Sequence, residues 1–269
     1  MNVDHSLSEV MQGQFYELGH EFKPHHDYFE GSEKIVEKHR KYQKNIMCNA
    51  VNISDKYRQD LVKRDFLFDD TGDNISELNW ILGDLTATYW IWKNSKIDFV
   101  GTSQYRRFWD DNIDNIKFEE NTLYMSEPLR FTRTLREQYI ASHGILGISI
   151  LDDLSREKKI PLTQKMLERT YSLNYLNSCN MFIAHRATYN KLCELLFEMV
   201  FEIYETYGDT INELNAYNRR IPAFLGERIV TALIINKEYF FPELNIVTLG
   251  WKQPKKDHIF KRIKSKFWT

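Results

Sequence analysis

The sequence predicts an α/β fold with a largely parallel sheet. Two observations carry that prediction. Short apolar runs bounded by turn residues alternate along the chain with longer segments of helical apolar spacing. One run, KIDFVG (96–101), sets Ile97, Phe99 and Val100 in a short stretch that reads as a buried strand. In open α/β sheets ligands sit beyond the carboxyl ends of strands, so residues just after each run draw the functional reading.

The elements follow in order. QFYELG (14–19) reads as a short strand ending at His20, and GSEKIVEKHRKYQKN (31–45) is polar and helical in character. FLFDDTGDNISELN (66–79) concentrates Asp, Thr, Gly and Asn into a loop, with Asn74 or Ser76 suited to cap a helix from Glu77 to Asn94. Within that helix Trp80, Tyr89, Trp90 and Trp92 are expected in the core. The strand 96–101 comes next, then a short strand at 121–128 ended by Pro128. Residues 129–143 read as helix and then loop, 162–174 as helix, 178–186 as strand, and 188–208 as the longest amphipathic helix. A helix over 221–237 tolerates Pro222 in its first turn, and 240–251 reads as a terminal strand.

Composition removes several function classes. The chain has 269 residues, 42% hydrophobic and 28% charged, as in ordinary folded proteins. A net charge of −2 argues against a nucleic-acid-binding surface spread over the chain. Three cysteines without Cys-x-x-Cys or Cys/His spacing argue against a disulfide framework or structural zinc and fit reduced thiols in a cytoplasm. No HExxH, Gly-rich phosphate loop or G-x-S-x-G elbow occurs. No uninterrupted apolar run approaches a membrane span, and the N-terminus lacks a signal-peptide pattern.

Four clusters carry chemistry. GTSQYRRFWDD (101–111) puts Arg106 and Arg107 after the buried run. Paired guanidiniums grip phosphate or carboxylate at two points, although such a pair also serves as a surface ion pair. Asp69, Asp70 and Asp73 crowd one loop and would suit a divalent cation or a ribose, or only a turn and cap. Glu227-Arg228 sits inside an apolar helix, where a charged pair needs a partner or a task. Finally, 251–269 is rich in Lys and Arg interleaved with Ile259, Phe260, Ile263 and Phe267, which suits an anionic membrane surface or a solvated tail.

DDTGDNISELN, GDLTATYWIWKN, DFVGTSQYRRFW, NMFIAHRATYNKLCELLFEMVFEI and FLGERIVTALII, in that order, resemble a bacterial family of unknown function. It occurs in capsular and exopolysaccharide loci and is described as glycosyltransferase-like. The likeness spans about residues 14–250. It implies a GT-A-like domain over 1–250, followed by the basic tail 251–269. It implies an enzyme that moves a sugar from a nucleotide-sugar donor, UDP-linked or of galactofuranose type among others, to a capsular, exopolysaccharide or O-antigen glycan. The acceptor would be a glycan or lipid-linked, and the protein cytoplasmic, peripheral on the inner membrane face. Carried over by position, His20, Asp73, Asn74, Ser76, Asn79, Thr86, Tyr105, Arg106, Arg107, Asn180, Glu227 and Arg228 match the family pattern, and Asp70, Asp84 and Gln104 are added to the expected donor site. Glu227 is the expected general base of an inverting reaction, because its largely apolar segment would raise its pKa. The family usually has His at the position of Gln104, Glu at that of Asp84 and Lys at that of Glu21. Two arginines stand where GT-A enzymes commonly hold a metal, so no metal ligand is assigned. Asp110-Asp111 leave a Mn or Mg ion admissible. A non-catalytic nucleotide-sugar- or glycan-binding partner of a synthase complex is the alternative.

Overall fold

The computed structural model describes residues 12–16, 43–48, 50–52, 55–63, 66–104, 107–110, 116–178 and 180–252. The strands are β1 (Gln12–Tyr16), β2 (Gln43–Met47), β3 (Leu67–Phe68), β4 (Phe99–Gln104), β5 (Phe108–Trp109), β6 (Thr122–Ser126), β7 (Leu129–Arg130), β8 (Tyr175–Leu176), β9 (Phe182–His185), β10 (Asn245–Leu249) and β11 (Trp251–Lys252). The helices are α1 (Asp55–Lys63), α2 (Asn79–Leu82), α3 (Leu85–Asn94), α4 (Leu135–His143), α5 (Leu146–Arg156), α6 (Gln164–Tyr171), α7 (Arg186–Asn212), α8 (Ile221–Ile235) and α9 (Lys237–Phe240).

The main sheet has seven strands in the order β10-β6-β9-β4-β1-β2-β3. The α/β class holds, but the largely parallel sheet does not. β4 lies in the middle, as expected, yet it is antiparallel to both neighbours, β1 and β9. Only β2–β3 and β6–β10 pair in parallel. The expectation failed because a strand covered on both faces reads as continuously apolar whichever way its neighbours run. β6, for example, is buried at every position.

β1 and β9 run against the rest, so the carboxyl ends of β3, β4, β6 and β10 share one edge of the sheet. His185, at the end of β9, lies opposite Phe99 at the other edge and packs against its ring with centroids 5.3 Å apart. The main core lies between the sheet and helices α3, α5, α7 and α8, with Leu85, Leu154, Leu196, Val200, Ile229 and Leu233 fully buried. A smaller cluster of Trp109, Tyr124, Met181 and Ile183 fills the other face.

Four local differences from the expected elements follow. The expected helix 77–94 is broken, because Gly83 adopts φ +56°, which a side-chain-bearing residue avoids, and Asn79 Nδ2 donates to its carbonyl at 2.8 Å. The break places Asp84 at the start of α3. Asn74 caps no helix; its Oδ1 accepts from Ser76 N at 3.2 Å in a local turn. Trp80 is 44% exposed beside Arg219, whereas Tyr89 and Trp92 pack on Phe197 as expected. Helix α5 was read as loop, since its apolar residues cluster at Ile148, Ile150, Leu151 and Leu154 over fewer than three turns.

Candidate functional site

Two groups of predicted residues separate in space. The first surrounds Asp69, which is fully buried. Its carboxylate accepts from Ala50 N at 3.0 Å, from Ser76 Oγ at 2.6 Å and from Thr86 Oγ1 at 2.6 Å. Asn79 Nδ2 donates to Thr86 Oγ1 at 3.1 Å and completes the network. Asp70 takes a two-point grip from Arg58 at 2.6 and 2.7 Å. Asp73 accepts from Tyr89 OH at 3.1 Å. Asp73, Ser76, Asn79 and Thr86 thus tie the loop to α3, Asp70 ties it to α1, Asn74 closes a turn within it, and none of the six lines the cleft described next.

The second group lines a cleft of about 410 Å³ at the carboxyl edge of β4. It brings together Asp84, Gln104, Arg107, Glu227 and Arg228 from three distant segments. Helix α8 approaches α3 closely at Gly226, where a β-carbon would stand 2.9 Å from Leu85 Cδ1. That approach sets Glu227 beside Asp84. Gln104 Nε2 donates to Asp84 Oδ2 at 2.8 Å, so two of the three positions that depart from the expected family pattern touch each other. Arg107 donates to Ser178 Oγ at 3.2 Å and lies over the Trp251 ring at 5.0 Å. His20, Tyr105 and Arg106 lie outside the described residues.

Glu227 accepts from Arg228 Nη1 at 2.9 Å. Arg228 is only 3% exposed. It also donates to the Phe224 carbonyl at 3.0 Å and to Gln138 Oε1 at 2.8 Å, while its Nε is buried without a hydrogen-bond partner among the described residues. Desolvation lowers its pKa and Glu227 opposes that shift. Asn180, in a left-handed conformation at φ +48°, is buried and does not line the cleft, and its Oδ1 likewise lacks a partner among the described residues.

Asp84 is pushed up to about 6, chiefly by desolvation, against the Gln104 hydrogen bond and with help from the Glu227 charge. Folding therefore favours its protonated form. This contribution is neutral below the unfolded value near 4, turns into a penalty as pH rises from there, and the penalty is complete above about 6. Asp84→Asn is expected to raise stability by up to about 3 kcal/mol at pH 8 and by little at pH 4. Urea titrations at the two pH values check this, and an equal effect at both would remove the assignment.

Sequence reading missed Gln138, His143, Tyr217, Arg220 and Phe224, which also line the cleft. Arg219-Arg220, just before an apolar helix, was the one available signal. His143 stacks on Phe224 with centroids 4.0 Å apart. Burial, aided by Arg228 and Arg220, lowers its pKa to about 4 and keeps it neutral. A divalent cation needs several oxygen ligands. Among the described residues no group of three acidic, His or Cys side chains converges, and Asp110 is paired with Lys252 at 2.5 Å. Asp111 lies outside the described residues. The described residues therefore supply no metal site. The two cysteines among the described residues, Cys48 and Cys193, are buried and do not line the cleft.

No curated protein matches the chain. A solved structure described as the WbbM bifunctional glycosyltransferase, in its apo form, is similar at a TM-score of 0.56 and 22% sequence identity. The match covers 71% of this chain but only 40% of that one, so this chain spans under half its length. The fold is therefore shared with a glycosyltransferase. Residues 34–238 match the model of DUF4422, a domain of unknown function, and with most of its length matched the chain belongs to the DUF4422 family.

Proposed function

We propose that the chain is a glycosyltransferase that moves a sugar from a nucleotide-sugar donor to a growing bacterial surface glycan of capsular, exopolysaccharide or O-antigen type. One observation carries the reading: two carboxylates, Asp84 and Glu227, converge with Arg107, Arg220 and Arg228 in one cleft at the carboxyl edge of the sheet. Sugar transfer needs a held diphosphate, neutralisation of its charge on leaving, and a base for the acceptor hydroxyl. Arg107 and Arg220 face the diphosphate. Glu227, oriented by Arg228, takes the acceptor proton; the freed oxygen attacks the anomeric carbon, and its bond to the diphosphate breaks. Asp84 and Gln104 hold the floor of the site.

The test is a thermal-shift series with nucleotide sugars, followed by turnover on glycan acceptors; a ligand bound only by the folded state raises the melting temperature. Binding without turnover on any acceptor would favour the non-catalytic alternative. Absence of any shift would end both. Arg107→Ala is expected to weaken donor binding by about 2–4 kcal/mol, and Arg107→Lys to restore it only in part, since the two-point grip is lost. Unchanged donor affinity in Arg107→Ala would remove this role.

Among the described residues no helix is long and apolar enough to cross a membrane. The basic segment beyond Lys252 lies outside the described residues. Its attachment to an anionic membrane is part of the proposal and rests on its charge and apolar spacing. Co-sedimentation with anionic liposomes at low salt should vanish on removing residues 253–269; equal sedimentation of both chains would refute it.

A further inference from the structure

The short ribbon β7–β8 separates two clefts. Its register sets Leu129 opposite Leu176 and Arg130 opposite Tyr175. Residues directly opposite share one face of a ribbon, and neighbours along a strand point to opposite faces. Leu129 and Leu176 accordingly line the cleft that holds Asp84 and Glu227, whereas Arg130 and Tyr175 line a second cleft of about 850 Å³. The alternation continues along the chain, with Asn177 in the second cleft and Ser178 in the first. One layer of backbone is thus the wall of both.

The chemistry of the second cleft selects its ligand. Two of its cations are committed: Arg169 to Glu238 at 2.5 Å, and Lys237 to the Leu244 carbonyl at 2.7 Å. The Arg130 guanidinium lies over the Tyr175 ring at 5.9 Å, and exposed Glu127 lines the same cleft. With Glu127 and Glu238 set against Arg130, Arg169 and Lys237, the lining carries a single net positive charge, which concentrates a polyanion only weakly. It offers a carboxylate, a guanidinium and a buried amide, Asn177, above an apolar floor that includes Ile246. Hydroxyl groups both donate and accept, so a ligand dense in them uses all three, while its C–H faces cover the ring and the floor.

We propose that this second cleft binds neutral sugar units of the acceptor glycan, remote from the hydroxyl that reacts. The proposal rests on the glycosyltransferase reading. The two clefts share the ribbon as a wall, so a glycan with one part in each would cross that ribbon.

Calorimetric titration of the full chain, without donor, tests it with neutral hexose hexasaccharides and their parent monosaccharides. Hexasaccharide is expected to bind. Arg130→Ala and Glu127→Gln, both at exposed positions, should each weaken it about tenfold, as for loss of one charged hydrogen-bonding partner. Nucleotide-sugar affinity should stay at its wild-type value. Hexasaccharide binding that is absent in the wild type, unaffected by both variants, or displaced by inorganic pyrophosphate overturns the proposal. The two readings fail separately. Nucleotide-sugar binding with no glycan binding removes only the second cleft. Glycan binding through Arg130 with no nucleotide-sugar binding removes the transferase and leaves a glycan site.

Discussion

Glu227→Gln is expected to cut sugar transfer by about 10²–10⁴-fold while nucleotide-sugar affinity stays nearly unchanged. The substitution keeps the shape of the side chain and its hydrogen bond from Arg228, and removes only the capacity to take a proton. A purely structural ion pair behaves differently. Arg228 is almost fully buried, so neutralising its partner leaves a charge in the interior without compensation. In that case the variant loses about 3–5 kcal/mol of stability, and donor binding falls in parallel with turnover. Melting curves measured beside the kinetics separate the two. A variant that melts normally and turns over at the wild-type rate would remove Glu227 from the chemistry.

Asp69→Ala is expected to lower stability by about 3–5 kcal/mol, the largest effect of any single change to the loop. Three donors converge on this carboxylate: Ala50 N, Ser76 Oγ and Thr86 Oγ1. Each buried donor left unpaired costs about 1–3 kcal/mol, and water reaching the new cavity recovers part of the sum. Urea unfolding should show a lower midpoint with an unchanged slope. A loss below about 1 kcal/mol would mean that the donors find other partners. Donor affinity per folded molecule is expected to survive, because the network lies outside the cleft.

These two residues mark how far the sequence could be read. Glu227-Arg228 was legible because a charged pair amid Leu225, Ile229 and Val230 is costly unless it is engaged. The Asp loop was legible as a cluster, but its direction was not. Turn chemistry and ligand chemistry use the same residue types, and only the packing of Ser76 and Thr86 onto Asp69 distinguishes them. Asp84 and Gln104 stood out as departures from a family pattern, yet nothing along the chain indicates that residues twenty positions apart share a hydrogen bond. Gln138 and Tyr217 carried no signal of their own, since a polar residue facing a cleft has the same spacing as one facing water. Strand order failed for a similar reason: apolar periodicity reports how deeply a strand is covered, not which strand covers it.

The central position of β4 also bears on how the chain is made. One neighbour, β1, precedes it, but the other, β9, is encoded roughly 80 residues later, after three intervening helices. At about 5–20 residues per second, a ribosome needs roughly 4–16 s to deliver β9 after β4 has emerged. Throughout that interval one edge of a strand whose middle residues end up buried stands open, its backbone groups unpaired. Helices α4, α5 and α6 are local and can form in microseconds, whereas closure of the sheet must await a distant segment. The slow, association-prone step in biogenesis is therefore the insertion of β9 between β4 and β6.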